Sequence, residues 1–229
     1  MGLMRLSDRI YYLPHEEAVD RPMLAYIKGD RYTLAIDAGY SYAHVQSFYQ
    51  ALTEEGLSSP QFTVLTHWHY DHTYGMHAVD GVTIACQATN VALRTQQQLT
   101  KVETYFDALK EEDKHFAQEY ANQANPTIVL ADIAFNSQMF IDLGGVTAEI
   151  YHITAPHSED CVCVYVPEEG VLFLGDATSE DFFNGGYMDI EKLRTLIAMI
   201  EQTPCNYCVL SHCEPLQKEA LLAYLHTLL

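Results

Sequence analysis

The chain has 229 residues, 48% of them hydrophobic and 19% charged, and its 31 acids against 12 bases give a formal charge of -19. A chain of this length can bury roughly 70% of its unfolded surface, so disorder as the main state is excluded. The negative charge also disfavours nucleic acid and anionic membrane surfaces, whose binding needs clustered Lys and Arg.

The first residues lack the basic flank, long apolar stretch and cleavage site of a secretory signal. No window has the roughly 18 uninterrupted apolar residues of a membrane span. A cytoplasmic protein is therefore expected, with its six cysteines as reduced thiols. Residues 9–13, 23–28 and 32–37 are short, rich in Tyr, Ile and Leu, and separated by Pro or Gly-Asp signals. They read as strands of a meander. Apolar residues at helical spacing (Val45, Phe48, Tyr49, Leu52) predict a helix over 42–55, ended by Gly56. Residues 61–66 form an apolar strand that leads into a His-rich loop at His67.

The segment 89–125 is rich in Gln, Glu, Lys and Ala, contains no Gly or Pro, and predicts one or two surface helices. Strands follow at 134–142, 148–153, 161–166 and 171–174, with Gly144-Gly145 and Glu168-Glu169-Gly170 as hairpin turns. A helix over 190–202, a strand over 207–210 and a helix over 217–228 complete the chain. Cys205-Asn206-Tyr207-Cys208 enters the last strand, so its two thiols are expected to be buried and to face opposite ways.

The chemistry concentrates in His67-Trp68-His69-Tyr70-Asp71-His72, four potential metal ligands within six residues directly after a strand. At this chain's own composition such a pattern arises by chance on the order of 10⁻³ times per chain. Neutral imidazole suits borderline divalent ions, and alternate residues of a turn can point to different sides, so one loop can serve two metals. On this loop the chain resembles the metallo-beta-lactamase superfamily, and the resemblance runs over nearly its whole length. Asp37, in Leu34-Ala35-Ile36-Asp37-Ala38-Gly39, is similar to the family's first motif, an aspartate supporting the His loop. His157 in Thr154-Ala155-Pro156-His157-Ser158, Asp176 in Leu174-Gly175-Asp176-Ala177 and His212 in Leu210-Ser211-His212-Cys213 match the later motifs in order.

The resemblance implies an α/β (α+β) fold, a four-layer αβ/βα sandwich of two mixed β-sheets flanked by helices. It implies one domain over 1–229 with a helical insertion at about 89–125. One metal would be held by His67, His69 and His157, a second by Asp71, His72 and His212, with Asp176 bridging them. Two Zn²⁺ per chain are expected, with Fe or Mn as alternatives; the intact histidine set argues against the flavo-diiron branch. The implied activity is hydrolysis through a metal-bridging hydroxide, with Asp71 orienting the nucleophile or passing a proton to the leaving group. The rival on the same fold is a mononuclear iron oxidoreductase of the sulfur dioxygenase kind.

For the substrate, Ser179-Glu180-Asp181 places acids where the best-known lactamases carry a lysine for the substrate carboxylate, and Asp176 stands where they usually carry cysteine. A β-lactam is therefore disfavoured. The short tail after His212 has Lys218 as its only basic residue besides histidine, which argues against a glutathione thioester, and the added basic domains of the nuclease branches are absent. A small neutral or modestly charged ester, lactone, thioester or amide is expected, with no nucleic acid or membrane partner and with a homo-oligomer left open. In the loop 182–187, Asn184 or Tyr187 is a candidate substrate contact, against the alternative of a turn that starts the next helix. Tyr105, Phe106 and Phe116 are expected to pack the helical segment onto the domain.

Overall fold

The computed structural model describes residues 2–229. The opening meander consists of β1 (Met4–Arg5), β2 (Ile10–Leu13), β3 (Leu24–Lys28) and β4 (Thr33–Ile36), each antiparallel to its neighbour. Helix α1 (Tyr42–Glu54) leads to β5 (Phe62–Val64), and the His-rich loop ends in the short helix α2 (Tyr70–Thr73). β6 (Val82–Cys86) and α3 (Gln87–Leu99) follow, then α4 (Tyr105–Glu112), α5 (Lys114–Glu119) and β7 (Ile133–Phe135). β4 to β7 run parallel and complete a seven-stranded sheet in sequence order. The second sheet contains β8 (Gln138–Asp142), β9 (Thr147–His152), β10 (Val162–Val166), β11 (Val171–Gly175), β12 (Tyr207–Leu210) and β13 (Leu216–Gln217). Helices α6 (Ile190–Gln202) and α7 (Lys218–His226) belong to this half.

Side-chain alternation along the strands generates the layers. In β10, Val162, Val164 and Val166 enter the core between the sheets, while Cys163 and Tyr165 pack with Leu193, Leu196 and Ile197 of α6. In the first sheet, Ala25, Ile27, Leu34 and Ile36 face the same central core, and Tyr26 and Ala35 face Phe48 and Leu52 of α1. Both sheets are thus covered on both faces, which explains why the central strands read as nearly unbroken apolar runs. The result is the expected sandwich of two mixed sheets flanked by helices.

Several details differ from the sequence reading. The stretch 134–142 is two strands in different sheets, because the chain turns at Asn136-Ser137 to pass from β7 to β8. β6 merges into α3 without a breaker residue, which hides it in the sequence. The segment predicted as one or two helices over 89–125 contains three, and α3 starts at Gln87 as the crossover between the parallel pair β6 and β7. Phe116 is fully buried against Tyr40, Tyr70 and Tyr74, and Phe106 stacks on it, so these aromatics fasten the helices as expected. The two thiols of the C-x-x-C face each other, with Sγ atoms 4.0 Å apart, rather than opposite ways. Cys205 lies in the turn before β12, where strand alternation does not apply; both thiols are buried, as expected. Among the described residues no helix is long and apolar enough to cross a membrane.

The fold delivers its polar residues to one edge. Asp37 follows β4, the loop 67–72 follows β5, Asp176 follows β11 and His212 follows β12, while His157 lies in the connection from β9 to β10. The register of β11 against β12 shifts between Phe173 and Gly175, and Gly175 has φ +57°. A Cβ there would lie 2.7 Å from the Thr66 side chain. Gly175→Ala is therefore expected to lower stability by about 2–4 kcal/mol through left-handed strain and crowding, read as a lower urea midpoint at unchanged slope.

Candidate metal centre

Backbone geometry at the end of β4 sets the site. Asp37 is buried with φ +63°, a left-handed conformation that Asp tolerates better than most residues. Its carboxylate accepts the Thr66 amide at 2.7 Å, the Thr66 hydroxyl at 2.9 and 3.0 Å, and the His72 Nδ1–H at 2.8 Å. Because the Thr66 hydroxyl donates to Asp37, its oxygen can accept from His67 Nδ1, 3.1 Å away, which leaves the His67 Nε2 lone pair free. His157 is oriented in the same way, with Nδ1 donating to the Glu180 carbonyl at 2.8 Å.

Two ligand groups result. In the first, His157 Nε2 lies 3.2 Å from His67 Nε2 and 3.0 Å from His69 Nδ1, and all three rings are buried. In the second, His72 Nε2 lies 3.1 Å from both Asp71 Oδ2 and Asp176 Oδ2, and His212 Nε2 lies 3.2 and 3.3 Å from the same two oxygens. Within each group the ligand atoms lie within 4.8 Å of one another. Asp176 Oδ2 is also 4.0 Å from His67 Nε2 and 3.8 Å from His157 Nε2, so one carboxylate oxygen stands between the groups. The structure brings together all seven residues that the sequence reading assigns as ligands, with Asp37 behind them.

The electrostatics differ between the groups. Burial drives His67 well below the ordinary imidazole value and His69 down to about 3, so both rings are neutral with lone pairs available. Burial alone would raise Asp71 and Asp176, but His72 and His212 hold both carboxyls well below the usual range. Burial would likewise lower His72 and His212, but the surrounding carboxylates prevail, raising His72 strongly and His212 to about 12. Three buried imidazoles beside a carboxylate-rich group, each histidine but His69 oriented by its second nitrogen, form a donor set suited to divalent ions.

The groups open into a cleft of about 470 Å³ whose further walls include Asp20, Tyr70, Asp113, Ser179, Phe182 and Phe183. No Lys or Arg lines it. Phe183 packs on Trp68 and His69, with ring centroids 4.7 and 4.5 Å away, and Phe182 lies 5.9 Å from the His157 ring. Asn184 and Tyr187 do not line the cleft. Asn184 bonds back to Asp181 through its amide and side chain, at 3.1 and 2.5 Å, and Tyr187 points to solvent beside the Asp181 bridge. The loop turns at Gly185-Gly186, both left-handed, so the preceding phenylalanines reach the site instead. Their signal was two adjacent large apolar residues in an otherwise polar loop. Cys213 is half-buried and outside both ligand groups. Asp20, which the sequence reading also missed, sits 3.2 Å from His212 Nδ1.

Comparisons with known proteins agree with this fold. The family model for the metallo-beta-lactamase superfamily matches residues 24–202. Among solved structures, a metallo-beta-lactamase from Pontibacter korlensis superposes with TM-score 0.68 at 18% identity, covering 99% of this chain and 97% of that one. An archaeal metallo-beta-lactamase superfamily protein from Sulfolobus tokodaii gives 0.65 at 18% identity, covering 96% and 86%. An inverting sec-alkylsulfatase from Pseudomonas sp. gives 0.71 at 12% identity, covering 98% of this chain but 40% of that enzyme. At these identities the likeness is one of fold. No curated protein sequence matches the chain.

Both Asp37 oxygens accept hydrogen bonds, so Asp37→Asn keeps the left-handed backbone but puts an NH2 donor where either the Thr66 amide or the His72 Nδ1–H needs an acceptor. Metal affinity of the second group is expected to fall about 10–100-fold, measured by competition with a chromophoric chelator.

Proposed function

The chain belongs to the metallo-beta-lactamase superfamily, and from that premise we propose that it is a dinuclear zinc hydrolase acting on a small, uncharged or weakly charged ester, lactone, thioester or amide. The observation that carries this reading is the Asp176 carboxylate oxygen standing between a three-histidine group and an Asp71–His72–His212 group at the floor of one cleft. His67, His69 and His157 would hold one ion, Asp71, His72 and His212 the other, and Asp176 both. Bound divalent ions supply a water acidified toward neutral pH and positive charge to polarise the bond under attack. Iron or manganese would fit the same donors less specifically.

The chain's own residues supply orientation and proton handling. Asp71 lines the cleft with its acidity enhanced by His72 and His212, so its carboxylate stays ionised and can orient an entering water by accepting a hydrogen bond from it. Phe182 and Phe183 shield one side of the cleft, which strengthens every charge interaction inside it. Walls without Lys or Arg offer no anchor for a substrate carboxylate or phosphate, in keeping with an uncharged substrate and against a nucleic acid partner. The charge of -19 opposes an anionic membrane in the same way. We place the protein in the cytoplasm acting on a soluble small molecule. The rival, a mononuclear iron oxidoreductase, would use the first group and leave Asp71 and His72 without a ligand role.

A panel of neutral and carboxylate-bearing esters, lactones and thioesters tests this reading on zinc-loaded protein. Turnover is expected on neutral members, and Asp71→Ala should lower it by about 10²–10⁴-fold with an unchanged circular dichroism spectrum. Full turnover in that variant would refute its role, and iron-dependent oxygen uptake with no hydrolysis would refute the hydrolase.

A further inference from the structure

His67, His157 and His72 each have their outer ring nitrogen held by a group in the body of the site: Thr66, the Glu180 carbonyl and Asp37. His212 has a different kind of partner. Its Nδ1 lies 3.2 Å from Asp20 Oδ1, and Asp20 belongs to the loop between β2 and β3, far from the other motifs in the chain. A carboxylate oxygen accepts, so this contact makes Nδ1 a donor and leaves Nε2, which faces Asp71 and Asp176, as the atom open to an ion. The other Asp20 oxygen lies 3.6 Å from His115 Nδ1 on α5.

The loop is built to hold that carboxylate in place. Asp20 has φ +56°, one of only two non-glycine residues with positive φ among the described residues; the other is Asp37. Left-handed backbone at a non-glycine residue persists where surrounding structure fixes it. Arg21 supplies the fixing: its Nε and Nη2 donate to the two Glu119 oxygens at 2.9 and 3.0 Å, a bidentate pair with a nearly fully buried carboxylate. The Ser41 hydroxyl, which caps α1, donates to the same Glu119. Arg21 Nη1 also reaches Glu16 at 3.2 Å, and the Glu16 and Arg21 backbones pair at 2.9 and 3.2 Å, closing the loop at its base. The loop carrying Asp20 is thereby tied to α5 and to the start of α1.

We infer that Asp20 is a positioning residue for the second ligand group, its carboxylate accepting a hydrogen bond from the His212 Nδ1–H and aiming Nε2 at the ion, with Arg21 and Glu119 holding it there. This rests on the reading of Asp71, His72, Asp176 and His212 as a metal-holding group. His212 is the most exposed member of that group and its only partly exposed histidine, so it is the histidine that packing constrains least.

Zinc titrations of wild type, Asp20→Gly and Asp20→Asn against a chromophoric chelator test the inference, together with the melting temperature of each metal-free protein. Glycine keeps the left-handed backbone and removes the acceptor, whereas asparagine tolerates that backbone and keeps an acceptor oxygen. Asp20→Gly should bind one zinc as wild type does and the second about 10–100-fold more weakly, while Asp20→Asn should stay close to wild type and all three metal-free proteins should melt together. Two zincs bound at wild-type affinity by Asp20→Gly would overturn the assignment. So would equal loss in Asp20→Asn, or a metal-free Asp20→Gly that melts well below wild type, since Asp20 would then act through the fold. Wild type that fails to bind a second zinc would instead sink the underlying reading of the four-residue group.

Discussion

Asp37 is the residue on which the geometry of the centre turns. Its buried carboxylate accepts the amide and hydroxyl of Thr66 and the Nδ1–H of His72. Through Thr66 it fixes the entry of the His-rich loop and the ring of His67, and through His72 it fixes a member of the other ligand group. A buried carboxylate with three donors is satisfied, whereas one with a missing partner is costly, so the loop has few alternative positions. The left-handed backbone at Asp37, fixed by the parallel pairing of β4 with β5, turns its side chain under that loop.

The charge arrangement follows from the same restraint. The three-histidine group contributes no carboxylate of its own, while the second group sets Asp71 and Asp176 against His72 and His212. The Asp71 and Asp176 carboxylates outweigh burial at His72 and His212 and raise both imidazoles. A divalent ion held there would displace protons, which would couple its affinity to pH. The overall charge of -19 attracts cations toward an edge whose local groups can hold them.

Much of this was legible in the sequence because it is local or ordered. His67 to His72 are adjacent in the chain, and Asp37, His157, Asp176 and His212 each follow or precede a recognisable apolar strand. What escaped depends on contacts across long stretches of chain. Asp20 gains its place from Arg21 bound to Glu119, 98 residues away, and no local pattern marks it. Asn184 and Tyr187 looked suited to contact a substrate, but two left-handed glycines turn the loop so that Phe182 and Phe183 face the cleft. The stretch 134–142 looked like one strand because propensity does not register a change of sheet. The facing thiols of Cys205 and Cys208 show that strand alternation does not extend to a residue two positions before the strand begins.

The proposed function requires two ions in one cleft, between a three-histidine group and a carboxylate-rich group. Elemental mass spectrometry on protein expressed without added metal and purified without a nickel column tests it most directly. Close to two zincs per chain is the predicted result. A single iron per chain, unchanged after incubation with zinc, would contradict the dinuclear reading and move the chemistry to the oxygen-dependent branch.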